Sequence, residues 1–256
     1  MAGPGSTKAA PRAAPPRRER LEEAAALWWR EDADERTLRR DGRRWTRWTS
    51  AVVATFLAPG VVLLYLSPLT LPVALGCFAH AWLIPWLQAR RGARSVVPIG
   101  SERSAARGRG EPRAQGVALG LLGDLVGHGE RELLRRTGMV LQRGELGVWL
   151  VGERGAIMVR HGGRRVDCWC VRVGDAEGLP GADRAAHLLL ALREDERGFA
   201  KVANFGFSGA AWRVRPGLPE RSRPALDSAR RVARDELRRD RRSSIRPGWV
   251  RMVSRR

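Results

Sequence analysis

The sequence predicts an α-helical two-span transmembrane hairpin followed by a small cytosolic α+β domain with an antiparallel sheet. Three observations carry that expectation. Forty-two consecutive residues, Trp48 to Ala89, contain no Asp, Glu, Lys or Arg in a chain otherwise dense in Arg. Beyond them roughly 165 residues remain, enough for one domain with its own core. Within that remainder, short apolar runs alternate with Gly-containing turns, the pattern of an antiparallel meander.

Residues 1–18 are rich in Pro, Ala and Arg and are expected to be a disordered basic arm. Residues 19–48 suit a juxtamembrane amphipathic helix, because Leu21, Ala24, Ala25, Trp28 and Leu38 recur near the helical period. Asp41-Gly42 reads as its stop. Such a helix can lie on the membrane with Trp28 and Trp29 dipped in, or pack on the domain.

The hairpin occupies 49–89. A spanning helix needs about 20 residues, so the charge-free stretch divides best into two short helices and a turn. The first runs from about Thr49 to Leu66, Ser67-Pro68-Leu69-Thr70 turns, and the second runs from about Leu71 to Ala89. About 19 residues of helix reach only about 28 Å, the short end of what a bilayer requires. Pro59-Gly60 in mid-span predicts a kink, and a re-entrant hairpin is the alternative to a full crossing. Arg39, Arg40, Arg43, Arg44 and Arg47 precede the hairpin, Arg90, Arg91 and Arg94 follow it, and the turn carries no charge. The positive-inside rule then places the protein in the cell membrane as a multi-pass protein with both termini cytoplasmic. Trp45, Trp48, Trp82 and Trp86 suit the interfacial belts. No signal peptide is expected, since the apolar run begins near residue 50.

Residues 90–115 read as a basic linker, with Arg107-Gly108-Arg109-Gly110 as a weak Arg/Gly motif. The domain is expected over 116–219. Residues 117–136 read as a Gly-rich helix. Its Gly120-Leu121-Leu122-Gly123-Asp124 lacks the Lys-Ser/Thr ending of a phosphate loop, so close helix packing is the ordinary explanation. Strands follow at Met139–Gln142, Gly147–Val151, Ala156–Arg160 and Val166–Val173. In the fourth, Val166, Cys168 and Cys170 share one face, while Asp167 and Trp169 share the other. Asp183 is placed to cap an apolar helix over 184–193 that ends in charge and Gly198. Phe199–Phe205 and Ala211–Arg215 read as two more strands, and Pro216, Pro219 and Pro224 as breaks. The remaining residues, 220–256, read as a basic helix from Leu226 to about Arg239 and a loose tail around Pro247-Gly248-Trp249.

The formal charge of the 256-residue chain is +20. Only Lys8 and Lys201 among its 47 basic residues are Lys, which points to compositional bias as one source of the excess. The distribution is uneven. Residues 115–219 hold 15 basic against 12 acidic residues, an ordinary balance, whereas residues 220–256 hold 13 against 5. Three cysteines provide no disulfide framework, which fits a reducing compartment.

Candidate chemistry is sparse. Cys168 and Cys170, two positions apart on one strand face, are the weak candidates for metal ligation or redox work, with His161 as a third ligand if its hairpin folds back. Two small buried residues on a core face explain the same pattern. His187 in the apolar helix adds a weak catalytic candidate with Cys168 and Asp183, and Asn204 adds another in the loop-like Asn204-Phe205-Gly206-Phe207-Ser208-Gly209. Cys77 and His80 share a helix face in the second span, yet two ligands fall short of a zinc site. No metal and no cofactor is expected. Arg230, Arg231, Arg234, Arg238, Arg239, Arg241 and Arg242 are the candidates for phosphate or lipid contact.

The functional expectation is an integral membrane protein, non-enzymatic, that presents its domain at the inner membrane face for protein or regulatory-ligand binding. Its expected partners are a bilayer with anionic headgroups and a cytosolic protein. A membrane-tethered enzyme acting on nucleic acid or lipid, and a membrane-attached nucleic-acid-binding protein, are the alternatives.

Overall fold

The computed structural model describes residues 33–101, 112–171 and 179–245. Two long apolar helices near the N-terminus lead into a small domain with a five-stranded antiparallel sheet and helices. The expected arm at 1–18, the Arg/Gly motif and the tail beyond residue 245 lie outside the described residues.

Helix α1 spans Glu35–Leu66. Asp34 caps it, its carboxylate accepting from the Thr37 amide at 2.6 Å. The helix does not stop at Asp41-Gly42. It runs straight on into the apolar stretch, because Gly42 is where it lies against the sheet. A Cβ there would come 2.8 Å from the Arg160 guanidinium and 3.0 Å from the Ser208 hydroxyl. Of the two expected settings for the juxtamembrane helix, its described part takes the one packed on the domain. Ser67 and a 3₁₀ turn at Pro68–Thr70 close the hairpin, with the Thr70 hydroxyl donating to the Leu63 carbonyl at 2.6 Å. Helix α2 spans Leu71–Ser95 and returns along α1. Gly60 allows the close crossing, since a Cβ there would meet the Phe78 ring at 2.6 Å.

The segment expected as a linker from residue 90 instead begins as structure. The last turns of α2 bury Ala89, Gly92 and Ala93. Val96, Val97 and Ile99 follow them into the interior. The Glu153 amide donates to the Val97 carbonyl and the Ile99 amide to the Gly138 carbonyl, both at 2.8 Å. The physical reason is composition: Ala and Gly at 89, 92 and 93 let a helix lie flat on a sheet, and a Cβ at Gly92 would come 2.4 Å from the Cβ of Phe207.

Residues 117–136 form two helices rather than one. Helix α3 covers Pro112–Asp124 and α4 covers His128–Thr137. Gly127 adopts an extended conformation at the start of α4, and Gly138 (φ 69°) ends it in the left-handed region. The sheet then runs β1 Val140–Arg143, β2 Gly147–Gly152, β3 Gly155–Arg160, β4 Arg165–Cys170 and β5 Asn204–Ala210, each strand antiparallel to its neighbour in that order.

Helices cover both faces, so most strand residues from β1 to β4 are buried. One core sets Trp149, Met158 and Trp169 against α3, α5 (Gly181–Glu194) and α6 (Glu196–Val202). The other sets Ile157, Val166, Cys168 and Phe207 against the end of α2, α7 (Ala211–Val214) and α8 (Arg223–Ile245). The alternation expected in β4 is present, with Val166 and Cys168 in the second core and Trp169 in the first.

Several local expectations are corrected. The helix α5 begins at Gly181, so Asp183 lies in its first turn rather than at its cap. Gly198 is no stop. Asp195 caps a fresh helix by accepting from the Gly198 amide at 2.8 Å, which makes Phe199–Val202 helical. The run Ala211–Arg215 is the helix α7 and the start of a 3₁₀ turn, not a strand. Pro224 lies in the first turn of α8, where a missing amide costs nothing, and that helix extends well past Arg239. The Asn204–Gly209 segment is the strand β5, bulged where Trp169 pairs with Phe205 and Cys168 with Phe207. The extra residue, Gly206, turns the two phenylalanines to opposite faces. Trp45 of α1 closes this edge, packing edge-on against both rings at 5.9 and 6.0 Å.

Candidate functional site

The thiol candidates occupy different surroundings. Cys168 is fully buried between Ile157 and Phe207 of the neighbouring strands. Burial pushes its thiol well above the usual range, and the adjacent Asp167 carboxylate adds to the rise. Asp167 is itself held by Arg160, through bonds of 2.5 and 3.0 Å. Cys170, half-buried at the end of β4, pairs with Gly155 and with the exposed Asn204. A thiol held protonated in an apolar core is a packing group rather than a nucleophile or metal ligand.

The histidines lie elsewhere. His161 sits in the turn before β4, at the far end of that strand from Cys170, with Nε2 3.1 Å from the Glu145 carbonyl. His187 is exposed on α5, a helix of the first core, whereas Cys168 belongs to the second. The sheet therefore stands between His187 with its helical neighbour Asp183 and Cys168. His80 of α2 bonds its own helix, Nδ1 to the Gly76 carbonyl at 2.8 Å, and stacks on Phe56 at 5.4 Å. Among the described residues no group of three His, Cys, Asp or Glu is placed to hold a metal ion.

The arginines of α8 divide by role. The helix packs on the sheet through Ala225, Leu226, Ala229 and Ala233. Half-buried Arg230 donates to the Gly163 carbonyl at 3.0 Å and lies 3.8 Å from Asp227. Arg231 reaches Ser228, and Arg234 reaches the Arg230 carbonyl. Arg238, Arg239 and Arg241 are exposed further along, and the side chain of Arg242 lies outside the described residues. Part of this cluster thus serves the fold.

What the structure does assemble is a collar where the hairpin leaves the domain. Arg40, Arg43, Arg44, Arg47, Trp48 and Ala51 line an open concavity of about 820 Å³ on α1. On α2, Trp82 and Trp86 stack at 5.9 Å, and the Arg90 guanidinium lies 4.9 Å from the Trp86 ring. Inside the collar the Thr49 hydroxyl donates to the Gln88 side-chain carbonyl at 3.1 Å, joining the two helices. Sequence reasoning missed this clasp. Its signal was one polar residue at each outer end of the charge-free stretch. The domain also has a concavity of about 430 Å³ between α3 and α4, lined by Ile99, Leu119, Leu134, Arg131 and Arg221.

Both helices are long and apolar enough to cross a membrane, and only 11% of the first apolar stretch and 6% of the second are buried within the protein. A helix in the core of a soluble protein would be mostly covered. Comparison with family models, with curated proteins and with solved structures finds no match.

Proposed function

We propose that this is an integral membrane protein, non-enzymatic, that presents its α+β domain at the cytoplasmic face for protein or regulatory-ligand binding. The observation that carries the reading is the uncovered apolar hairpin, which projects from a domain whose own cores are closed. Apolar area left in water costs about 25 cal/mol per Å², and lipid removes that cost. The Arg residues on both sides of the hairpin, and their absence from its turn, favour cytoplasmic termini and contact with anionic headgroups. The dispersed positions of Cys168, His161, His187 and Asn204 favour binding over catalysis. The exposed Arg238, Arg239 and Arg241 support nucleic-acid binding as the second reading, which requires an association that weakens steeply with salt.

The test is thiol labelling with a membrane-impermeant reagent, on intact cells, after lysis and after denaturation, together with alkaline carbonate extraction of membranes. The expected result is a protein that stays in the carbonate pellet, Cys170 labelled only after lysis, and Cys168 labelled only after denaturation. Release into the carbonate supernatant would sink the membrane reading. Labelling of Cys170 in intact cells would reverse the orientation.

A further inference from the structure

We propose that α7 is a second membrane contact, with Trp212 seated in the bilayer interface beside α2, so that the domain rests on the lipid surface in one orientation. The inference rests on the membrane reading and adds to it a surface of the domain. Trp212 is 70% exposed, while its helix neighbours Ala211 and Val214 are buried. Those two hold α7 against the second core and leave the indole pointing outward.

Two contacts set its level along α2. The 3₁₀ turn after α7 brings Gly217 against the end of α2, where a Cβ would come 2.7 Å from the Cβ of Ala93 and 3.5 Å from the Cα of Arg90. One turn earlier in the chain, Arg213 donates to the Pro85 carbonyl at 2.6 Å, with its guanidinium 5.5 Å from the Phe207 ring. From Gly217 back to Arg213 the contacts therefore descend α2 from Arg90 and Ala93 to Pro85, about 8–12 Å at 1.5 Å per residue, the last part spanned by the Arg213 side chain. Pro85 lies between Trp82 and Trp86, 67% and 38% exposed, on the same helix. Trp212 is thus carried toward the level of the tryptophans that mark the headgroup boundary of α2. An indole gains there from an apolar face and a wet N–H together. Arg90 and Arg91, both exposed just above, supply cations for the phosphates at that depth. The occupant is the bilayer that already surrounds α2, because the patch is continuous with the surface of that span.

The test uses the full chain in vesicles of phosphatidylcholine and phosphatidylglycerol brominated near the top of the acyl chains. The fluorescence lost in Trp212→Phe and in Trp82→Phe, relative to the parent, isolates each indole. Bromolipid should quench the Trp212 contribution to within about twofold of the Trp82 contribution, as two indoles at one interface require. Aqueous iodide should quench both only weakly and to a similar degree. If Trp82 is quenched by bromolipid while Trp212 is quenched only by iodide, the α7 contact is overturned and the membrane reading stands. If bromolipid quenches neither, both fall. Trp212 is exposed, so its replacement leaves the cores intact and the comparison valid.

Discussion

At the scale of single residues, buried charge sets the sharpest constraints. Glu153 and Arg184 are both buried and meet at 2.8 Å, with the Gly100 amide also donating to the carboxylate at 3.4 Å. Arg184→Ala takes away a buried cationic partner, and a loss of about 3–5 kcal/mol is expected, read by denaturant unfolding. Replacing both residues with apolar side chains of similar size should cost clearly less than that single change. Asp227 provides the pH-dependent counterpart. Hydrogen bonds from Arg215, at 2.9 to 3.2 Å, hold its carboxyl below the usual carboxylate range, against a smaller opposing effect of burial. A carboxyl depressed in the folded state stabilises above its ordinary pKa and loses that contribution as pH falls through the folded value. Stability should therefore drop in acid, and Asp227→Asn should flatten that part of a melting-temperature profile against pH. Both side chains are more than a third exposed, so the amplitude will be modest.

At the scale of elements, single acceptors and single glycines decide the docking. Glu196 of α6 accepts from the Glu145 and Leu146 amides at 2.6 and 3.0 Å and from the Trp149 indole at 2.5 Å. It thereby binds a helix to the β1–β2 turn. Glu196→Ala strands these donors and should cost about 2–3 kcal/mol in thermal unfolding. Gly92→Val forces α2 away from Phe207 and should cost about 1–3 kcal/mol or more, as overpacking does. The sequence made some elements legible and hid others for identifiable reasons. The turn of the hairpin was legible because Ser67-Pro68 divides the charge-free stretch between Arg47 and Arg90. The first four strands were legible because Gly144, Gly155 and the Gly162-Gly163 pair punctuate them. The fifth was misplaced, because its run of Phe and Gly carries a bulge that only the register with β4 reveals. The helix α6 was missed because Asp195, a cap, sits inside a charged run that read as a terminus. The continuation of α2 to Ser95 was hidden because Arg90, Arg91 and Arg94 face solvent while Ala89, Gly92 and Ala93 face the sheet. As for chemistry, the strand alternation fixed that Cys168 and Cys170 share a face. It did not fix that a helix layer would close over Cys168, nor that His187 would lie beyond the sheet.

At the scale of the whole molecule, one helix belongs to two environments. From Leu75 through Trp82 to Leu87 it carries exposed apolar side chains, and its last turns are part of the second core. A fragment that begins after residue 101 therefore lacks the layer that covers Val166, Cys168 and Phe207. Such a fragment should aggregate or bind a dye specific for exposed apolar surface, whereas the full chain in detergent should not. A well-folded, monomeric fragment would show that α2 is dispensable to the core. The same continuity has a mechanical meaning. Among the described residues α2 passes from the hairpin into the second core without a break, so the sheet is not hung from the hairpin as a ball on a string. On the membrane reading, a tilt of the hairpin imposed by a thinner bilayer or a neighbouring protein would pass through α2 as a stiff lever and tip the entire sheet with it.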